Sequence, residues 1–268
     1  MPDASLLESL VVLSRRAGDA IHHIYRSGES LEIERKSDDS PVTAADYAAN
    51  RLISDALPKI LDVPVISEES YLTPFEERRK WQRYWLVDPL DGTREFIKGS
   101  GEFTVNIALI DHGQPVAGVI CLPTTGDCYV GYKGMGAYKH IGDEKITLQG
   151  RKVDPALLRV MGSRRKVGSR RQRLMARLGE QFSALDIQTC GSSLKMCLIA
   201  EGKADIYAQY GPTCEWDTAA AQIIIEEAGG ALVGADFEPL RYNTKESIIN
   251  PSFFVLGDRV YPWSEVGV

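Results

Sequence analysis

Residues 85–96 read Trp-Leu-Val-Asp-Pro-Leu-Asp-Gly-Thr-Arg-Glu-Phe. The first three residues have the apolar character of a buried strand, and a turn that carries two carboxylates, Asp88 and Asp91, follows around a proline. These carboxylates can point at a common centre about 4 Å away, where they repel one another unless a cation lies between them. Carboxylate oxygens suit Mg²⁺, which also binds phosphate oxygens. The stretch therefore predicts metal-assisted phosphoryl transfer, although Asp-Pro and Asp-Gly pairs also form simple turns.

The residues after this turn, Gly92 and Thr93, begin a predicted helix whose backbone N–H groups can bind a phosphate. Glu68 and Glu69 follow a predicted strand at 63–66. Ligands tend to bind at such strand ends in α/β sheets, although a solvated loop would also carry two glutamates. The glutamate pair is therefore a second candidate for ligand binding.

Two other acidic residues have structural explanations of their own. Asp46 follows Thr43 by three residues, which is the spacing of a capping box, and that role can account for it completely. Asp217 precedes an apolar helical pattern at 219–228, so its position predicts the N-cap of that helix. From the residues alone, neither carboxylate has to be functional.

The composition is that of an ordinary globular protein, with 268 residues, 44% hydrophobic and 25% charged. A net charge of −6 argues against nucleic acid polymers and acidic membranes as partners. The N-terminus does not resemble a signal peptide and no run is long enough to span a membrane, so we expect a cytoplasmic protein, with peripheral binding to the inner face of the membrane left open. The five cysteines are expected to be reduced thiols, and the four histidines argue against a histidine-rich zinc site.

The chain pattern predicts two units, residues 1–152 and 153–268. The first unit is expected to carry antiparallel sheet. It contains an amphipathic helix at 5–25, a second helix after residue 46, a charged surface helix at 73–83 and a hairpin around the turn at 111–114. The second unit alternates strands and helices. Its segment 164–177 carries seven basic residues, which are either a solvated helix face or a local anion-binding rim.

Several separated motifs resemble those of the inositol monophosphatase superfamily of magnesium-dependent phosphomonoesterases. They are Glu68-Glu69, Asp88-Pro-Leu-Asp91-Gly-Thr93 and Trp216-Asp217-Thr-Ala-Ala. Within that superfamily, the sequence of residues 85–98, 101–110 and 191–195 is similar to the corresponding segments of the bacterial 3'(2'),5'-bisphosphate nucleotidases. The resemblance covers nearly the whole chain and implies a layered αβαβα sandwich of the α+β / α/β class.

The resemblance also implies a metal site and a catalytic pair. One Mg²⁺ would be held by Glu68, Asp88 and the carbonyl of Leu90, and a second by Asp88, Asp91 and Asp217. A third, loosely held Mg²⁺ is expected near Glu68, with inhibition by lithium. Asp46 and Thr93 would orient the attacking water, which goes beyond the cap assigned to Asp46 above. Two metals would neutralise the phosphate, activate water and stabilise the leaving alkoxide.

The implied substrate is adenosine 3',5'-bisphosphate, hydrolysed to AMP and phosphate in sulfur assimilation and nucleotide recycling, with 3'-phosphoadenosine 5'-phosphosulfate as a second substrate. Ser163 and Arg164 match a pair on the 5'-phosphate side, where Lys166 departs from the histidine frequent in relatives. Lys98 and Glu102 are secondary candidates. The substrate contacts expected in total are Gly92, Thr93, Ser163, Arg164, Gly191, Ser192, Ser193, Lys195 and Glu215.

Two alternatives remain open at this point. The chain is either the nucleotidase or a phosphatase of the same fold for inositol or sugar monophosphates, although a monophosphate needs no second anion site such as the basic stretch. A catalytically silent regulatory protein that binds nucleotide and metal is the alternative from another class. We expect a monomer or a homodimer with a small-molecule partner.

Overall fold

The computed structural model describes residues 4–27, 34–35, 41–70, 72–164 and 168–268. Within these ranges the chain forms seven helices: α1 (Ala4–Ser27), α2 (Ala44–Ile60), α3 (Phe75–Arg78), α4 (Thr93–Ile97), α5 (Ser169–Gln181), α6 (Leu194–Ala200) and α7 (Glu215–Glu227). The predicted helix at 5–25 is α1, and the helix predicted after residue 46 is α2. None of these helices has both the length and the apolar composition that crossing a lipid bilayer requires.

The strands belong to one ribbon and two sheets. They are β1 (Glu34–Arg35), β2 (Pro41–Val42), β3 (Val65–Ser67), β4 (Arg83–Asp91), β5 (Thr104–Asp111), β6 (Gln114–Cys121), β7 (Cys128–Tyr132), β8 (Gly136–Ile141), β9 (Glu144–Thr147), β10 (Leu158–Gly162), β11 (Leu185–Thr189), β12 (Ile206–Gln209), β13 (Ala231–Gly234) and β14 (Phe253–Leu256). The predicted hairpin is β5–β6.

The first sheet has seven strands in the order β3-β4-β5-β6-β7-β8-β9. Only β3 and β4 run parallel, and the other neighbours are antiparallel, as the sequence predicts for this unit. Both faces are covered, which explains why β4 reads as a continuous apolar run: Trp85 and Val87 face one core, and Tyr84 and Leu86 face another. Strand β4 therefore runs through the middle of the fold and continues to Asp91, so Asp88 and Asp91 lie on the strand and not on the turn that the sequence predicts after residue 87.

The second sheet has five strands in the order β11-β10-β12-β14-β13. Strand β10 is parallel to both β11 and β12, whereas β14 is antiparallel to its neighbours β12 and β13. The parallel pairs place the ends of β10 and β11 together, so the segments that follow Gly162 and Thr189 lie side by side. The two segments carry Arg164 and the 191–195 motif.

The layers follow the order α, β, α, β, α, as the resemblance implies. Helices α1 and α2 cover the outer face of the first sheet, and α6 and α7 lie between the two sheets. The buried face of α5 packs with β10, β12 and β14 in a separate core on the far side of the second sheet. Because α7 contacts the first sheet most closely, the inner core joins both halves of the chain.

Helix α7 packs closely against β6 and β7 at two glycines of the sheet, Gly118 and Gly131. A Cβ atom at Gly118 would lie 2.7 Å from Ile223 Cγ2 and 2.8 Å from the Ala220 carbonyl oxygen, and one at Gly131 would lie 2.9 Å from Ile224 Cα. Real Cβ atoms are not found this close to other heavy atoms, so both positions require glycine. The contact fixes the position of α7, whose first turn carries Asp217.

Capping boxes begin the two helices that contribute acids to the site. Thr43 is the N-cap of α2 and Asp46 accepts from the Thr43 backbone N–H, as predicted. In α7 the N-cap is Cys214, and Asp217 is the third helical residue, which accepts from the Cys214 N–H at 2.9 Å. The N-cap prediction for Asp217 was therefore wrong by three positions, because a cysteine gives no N-cap signal in sequence.

The charged surface helix predicted at 73–83 is much shorter than expected, and one of its charged residues is buried. Helix α3 covers only Phe75–Arg78, and Arg78 is buried. Its guanidinium donates to the Asn243 side chain and to the Glu246 carbonyl, while the Asn243 side chain donates back to the Arg78 carbonyl at 2.6 Å. Tertiary contacts with the second half therefore override the local pattern of charges.

All five cysteines are free, in agreement with the expectation of reduced thiols. Cys121 and Cys128 face each other across β6 and β7, with their sulfur atoms 2.8 Å apart.

Candidate metal and phosphate site

Three carboxylates from separate elements meet at one point. Single ligand oxygens of Glu68, Asp88 and Asp217 all lie within 4.8 Å of one another. Asp88 is on β4, and Glu68 directly follows β3, where its backbone N–H donates to the Val87 carbonyl at 3.1 Å. The parallel β3–β4 pair therefore places two acids at the same edge of the first sheet, and the first turn of α7 brings the third.

Asp91 completes the acidic group from the end of β4. The β4–β5 register shifts between Asp88 and Asp91, and this irregularity lets both residues point toward the site although they are three positions apart. The backbone N–H of Ser193 donates to Asp91 Oδ2. The second half of the chain thus orients a carboxylate of the first.

The electrostatics of the four acids favour a bound cation. Burial, followed by the charges of Glu68, Asp91 and Asp217, raises the pKa of Asp88 well above its usual value. Burial also raises the pKa of Asp91 to about 6, against the opposing effect of Lys195. For Asp217, burial and the charges of Asp91 and Glu68 raise the pKa as well. Like charges that raise each other's pKa are stabilised as anions when a divalent cation binds between them.

The backbone around Leu90 ties this cluster to the following helix. The Leu90 N–H donates to Asp88 Oδ1 at 3.0 Å, and the Leu90 carbonyl is 3.3 Å from the Thr93 hydroxyl. Leu90 and Thr93 both line the cavity. A carbonyl oxygen has two lone pairs, so this contact leaves Leu90 able to bind a cation as well.

Thr93 and Asp46 lie together, in the arrangement that the resemblance implied. The Thr93 hydroxyl donates to Asp46 Oδ1 at 3.2 Å. The other oxygen of Asp46 accepts from the N–H and the hydroxyl of Thr43, at 2.8 and 2.7 Å. Asp46 therefore caps α2 with one oxygen and holds Thr93 with the other, so the structural and the functional interpretations are compatible.

Gly92 is the N-cap of α4 and has a φ of 95°, in the left-handed region. A Cβ there would lie 3.2 Å from both the Glu102 carbonyl oxygen and the Ser192 Cβ. The chain can therefore turn from β4 into α4 at this tight position only with glycine. Gly92 and Thr93 both line the cavity beside the acidic residues.

These groups line an open cavity of about 680 Å³ between the two halves of the chain. Eight of the nine predicted substrate contacts line it: Gly92, Thr93, Ser163, Arg164, Gly191, Ser192, Ser193 and Lys195. The secondary candidate Lys98 lines it as well. Most of the predicted substrate contacts therefore lie on one cavity, which residues from both halves of the chain line, and what they bind there stays a prediction.

The hydroxyl of Ser193 is oriented away from this cavity and into the protein. It bonds to Thr104 Oγ1 at 2.7 Å and to Asn106 Oδ1 at 2.8 Å, and Ser193 is 1% exposed. Lys195 donates to the Ser192 carbonyl and lies 5.5 Å from the centre of the Tyr207 ring. Ser193 thus contributes its backbone to the site, whereas Lys195 contributes a largely buried positive charge.

The predicted contact of Glu215 with substrate is wrong in geometry. Glu215 does not line the cavity and is 1% exposed. One carboxylate oxygen accepts from the Asn243 N–H at 2.8 Å, and burial raises the pKa of the group to about 7 against the attraction of Arg78. The reason is that α7 directs residues 215 and 217 to different sides.

The basic stretch at 164–177 divides between two places. Arg164 lines the cavity and pairs with Glu102. On α5, Arg171 donates to the Ser163 carbonyl and Arg177 to the Gly267 carbonyl, and neither lines the cavity. Lys166 lies outside the described residues. Of the described basic residues in this stretch, Arg164 alone lines the cavity, so the rim that it forms is local.

Sequence reasoning missed an aromatic wall. Tyr207 on β12 and Phe253 on β14 both line the cavity, with ring centres 6.3 Å apart in an edge-to-face arrangement. Each residue is part of an ordinary apolar strand pattern, and only the antiparallel pairing of β12 with β14 brings them together. No local signal marks them.

The chain is similar in sequence and in structure to known proteins. A sequence profile of the inositol monophosphatase family matches residues 3–259. The 3'(2'),5'-bisphosphate nucleotidases CysQ of Shigella flexneri and Escherichia coli K12 are each 44% identical over 251 residues, which cover 93% of this chain and 99% of those proteins. The crystal structure of CysQ from Bacteroides thetaiotaomicron, a bacterial member of that family, is 37% identical, with a TM-score of 0.82 over 93% of this chain and 96% of that one.

Proposed function

The chain belongs to the inositol monophosphatase family, and on this basis we propose that it is a 3'(2'),5'-bisphosphate nucleotidase. It would hydrolyse adenosine 3',5'-bisphosphate to AMP and phosphate. The observation that carries the proposal is a single cavity with two kinds of wall. Glu68, Asp88 and Asp217 form the acidic wall, while Arg164 supplies a cation on the rim. A substrate with two phosphates has a partner for each.

The acidic group fits Mg²⁺ because it consists of hard oxygen ligands whose burial and mutual repulsion raise their pKa values. The residues that would hold two ions are Glu68, Asp88 and the carbonyl of Leu90 for one, and Asp88, Asp91 and Asp217 for the other. A third, weaker ion would bind near Glu68. When bound, such ions neutralise phosphate charge and lower the pKa of water.

The contribution of Thr93 and Asp46 follows from the hydrogen bonds that each side chain can donate and accept. A hydroxyl has one proton, and Thr93 has two acceptors within reach, the Leu90 carbonyl at 3.3 Å and Asp46 at 3.2 Å. The charged carboxylate of Asp46 is the stronger acceptor, so Thr93 would give its proton to Asp46 and keep its lone pairs for a water molecule. A second bond of Asp46 to the N-cap of α2 prevents its carboxylate from rotating away. The pair would therefore orient the attacking water toward the phosphorus.

The N–H groups of Gly92 and Thr93 would bind the oxygens of the same phosphate. The segment 191–195 would contact the ribose and base, and Ser163 and Arg164 the 5'-phosphate. Arginine suits this last contact because its planar guanidinium matches phosphate geometry. The sulfated relative 3'-phosphoadenosine 5'-phosphosulfate would fit the same cavity, and both substrates would connect the enzyme to sulfur assimilation.

We also propose that residues 1–152 and 153–268 form two units. The two sheets divide between Thr147 and Leu158, which supports that boundary. Helix α7 belongs to the second unit by sequence but packs against the first sheet. The units would therefore depend on one another for stability.

The test is phosphate release from adenosine 3',5'-bisphosphate, myo-inositol 1-phosphate and AMP, each in Mg²⁺ and in EDTA. We expect Mg²⁺-dependent release from the bisphosphate and little from the others. Faster release from inositol phosphate would retain the metal site and reject the substrate. Mg²⁺-dependent binding of the bisphosphate without release of phosphate would favour the silent regulatory protein.

A further inference from the structure

We propose that Glu102 is a positioning residue that holds Arg164 in place for the second phosphate of the substrate and thereby sets the preference for a bisphosphate over a monophosphate. The inference rests on the proposed function, since it concerns the same cavity. Glu102 lies between α4 and β5 and does not itself line that cavity. It would act through its neighbours.

The carboxylate of Glu102 joins two segments that are distant in sequence. Oε1 accepts from Arg164 Nη2 at 2.5 Å, and Oε2 accepts from the Gly191 N–H at 2.8 Å. Both partners line the cavity. One side chain of the first half of the chain therefore orients the segment after β10 and the segment after β11 together.

The backbone of Glu102 is also held tightly among the cavity segments. Its carbonyl oxygen would lie 3.2 Å from a Cβ at Gly92 and 2.8 Å from a Cβ at Gly191. Because the main chain at residue 102 packs closely against these two glycines, the backbone from which the Glu102 side chain extends is held in place. A carboxylate on a fixed backbone can orient an arginine, whereas a carboxylate on a mobile loop would move with the arginine.

The ion pair leaves Arg164 able to bind an anion. The Arg164 side chain is 49% exposed, and only Nη2 bonds to Glu102. A guanidinium has five N–H groups in one plane, so the remaining donors can face a phosphate while the pair stays intact. A surface ion pair adds little to stability, so the effect of this one lies in the orientation of the donor plane.

Arg164 and Lys195 lie on different segments of the cavity wall. Lys195 is on α6, two residues after Ser193, whose backbone N–H donates to Asp91, whereas Arg164 follows β10 and its guanidinium is paired with Glu102. A phosphate at the acidic cluster would therefore lie on the Lys195 side. Arg164 is placed for a group that a monophosphate lacks.

The experiment compares two substrates that differ only in the 5'-phosphate, adenosine 3',5'-bisphosphate and 3'-AMP. In Glu102→Gln the side-chain amide has one oxygen and one NH₂ group. The NH₂ group faces either Arg164 or the Gly191 N–H, both of which are donors, so one of the two hydrogen bonds of residue 102 is lost. We expect KM for the bisphosphate to rise about tenfold, with kcat within about twofold and KM for 3'-AMP unchanged, since one oriented charged hydrogen bond is weakened. Arg164→Ala should give the same selective rise, and the double variant no further rise.

Asp111→Asn is a matched control. Its pair with Arg83 has a similar length, 2.6 Å, and similar exposure of the two side chains, 49% and 24%, but lies outside this cavity. We expect unchanged kinetics in this variant. Thermal unfolding of all variants reports any loss of folding, and a selective change in KM cannot come from a smaller folded fraction.

An equal rise in KM for both substrates, an unchanged KM for both, or additive effects in the double variant would overturn the positioning role. Failure of the proposed function gives a different result, because it changes the substrate preference of the wild-type enzyme and not only that of the variants. A wild-type enzyme that cleaves 3'-AMP as efficiently as the bisphosphate would reject the bisphosphate preference itself, and with it any role of Glu102 in setting it.

Discussion

Ser193 donates its backbone N–H to Oδ2 of Asp91, so a residue of the second half of the chain holds a carboxylate of the first. The hydroxyl of the same serine is anchored by Thr104 and Asn106 on β5. These two residues are also paired with Asp91 and Asp88 across the β4–β5 ladder. The acidic end of β4 is therefore held from its neighbouring strand and from the opposite half at once.

Ser193→Ala should weaken metal binding and stability together. The variant leaves buried polar atoms of Thr104 and Asn106 without the serine, at a cost of about 1–3 kcal/mol in the free energy of unfolding. We expect the Mg²⁺ concentration for half-maximal activity to rise several-fold, because the amide of residue 193 is no longer fixed against Asp91. Mg²⁺ titrations and chemical denaturation test this, with the exposed Ser264→Ala as control. Unchanged Mg²⁺ dependence would contradict it.

Asp217→Asn should abolish most activity while the fold stays intact. The variant removes one charge from the Glu68, Asp88 and Asp217 cluster. We expect kcat/KM to fall by at least about a hundredfold, as for the loss of a metal ligand or of the charge stabilisation it supports. In EDTA the variant should be no less stable than wild type, because one repelling charge is gone. Asp143→Asn, an exposed residue outside the cavity, provides the control.

Thr93→Val should lower kcat by about a hundredfold or more, whereas Thr93→Ser should retain most of it. The valine has similar shape but cannot donate to Asp46 or accept from water, while the serine keeps the hydroxyl. The capping bonds of Asp46 to Thr43 remain in both variants, so the melting temperature should change little. Equal activity of the valine and serine variants would rule out a hydroxyl in the water-orienting pair.

The stability of the metal-free protein should fall as pH rises. The folded-state pKa values of Asp88, Asp91 and Asp217 lie above their unfolded values. Their protonation stabilises the fold fully below the unfolded pKa, and this contribution is lost as pH rises through the folded pKa, which is about 6 for Asp91. We expect the melting temperature in EDTA to drop between about pH 5 and pH 7.5.

Mg²⁺ should restore much of that loss at the higher pH, because a ligand that binds only the folded state stabilises it. Asp91→Asn in EDTA separates the cluster from other acids that titrate in the range, such as Glu215. The drop in this variant should be smaller than in wild type. An identical pH profile for the two proteins would show that the cluster is not responsible.

Gly118→Ala should destabilise the protein by about 1–3 kcal/mol, the range for overpacking a close-packed core. Its new methyl group would meet the α7 backbone at Ala220. The matched control is Gly179→Ala on α5, where nothing lies within 4 Å of the added atom, and this variant should gain up to about 1 kcal/mol from helix propensity. Urea denaturation of both measures the difference. A neutral Gly118→Ala would mean that α7 can shift on the sheet.

Much of the site could be predicted from local patterns. The acidic end of β4, the glutamate pair after β3 and the capping box at Thr43 are short signals, each within one strand end or one helical turn. The layered class was implied by the resemblance to the inositol monophosphatase superfamily, whereas the antiparallel sheet and the later alternation of strands and helices are visible in the same way as the short signals. Such features depend on residues that are close in sequence, so they remain visible without the structure.

The errors come from contacts that are distant in sequence. The local charges at 73–83 predicted a surface helix, but the buried pairing of Arg78 with Asn243 shortened it. Glu215 was expected to contact the substrate, although the helix turns its carboxylate and that of Asp217 to different sides. The aromatic wall of Tyr207 and Phe253 depends on the pairing of two strands. The hydrophobic period of the sequence and the strand propensity of its residues do not specify which strands pair.

The position of Asp217 on α7 also has a consequence for synthesis on the ribosome. Glu68 and Asp88 emerge early, and their partner emerges only after the whole first sheet and half of the second. During that interval the inner face of the first sheet, with Leu86, Ala108 and Ile120, lacks the helix that covers it. The nascent chain must therefore carry an uncovered apolar surface, a target for chaperones, until the same helix both closes the metal cluster and shields the sheet.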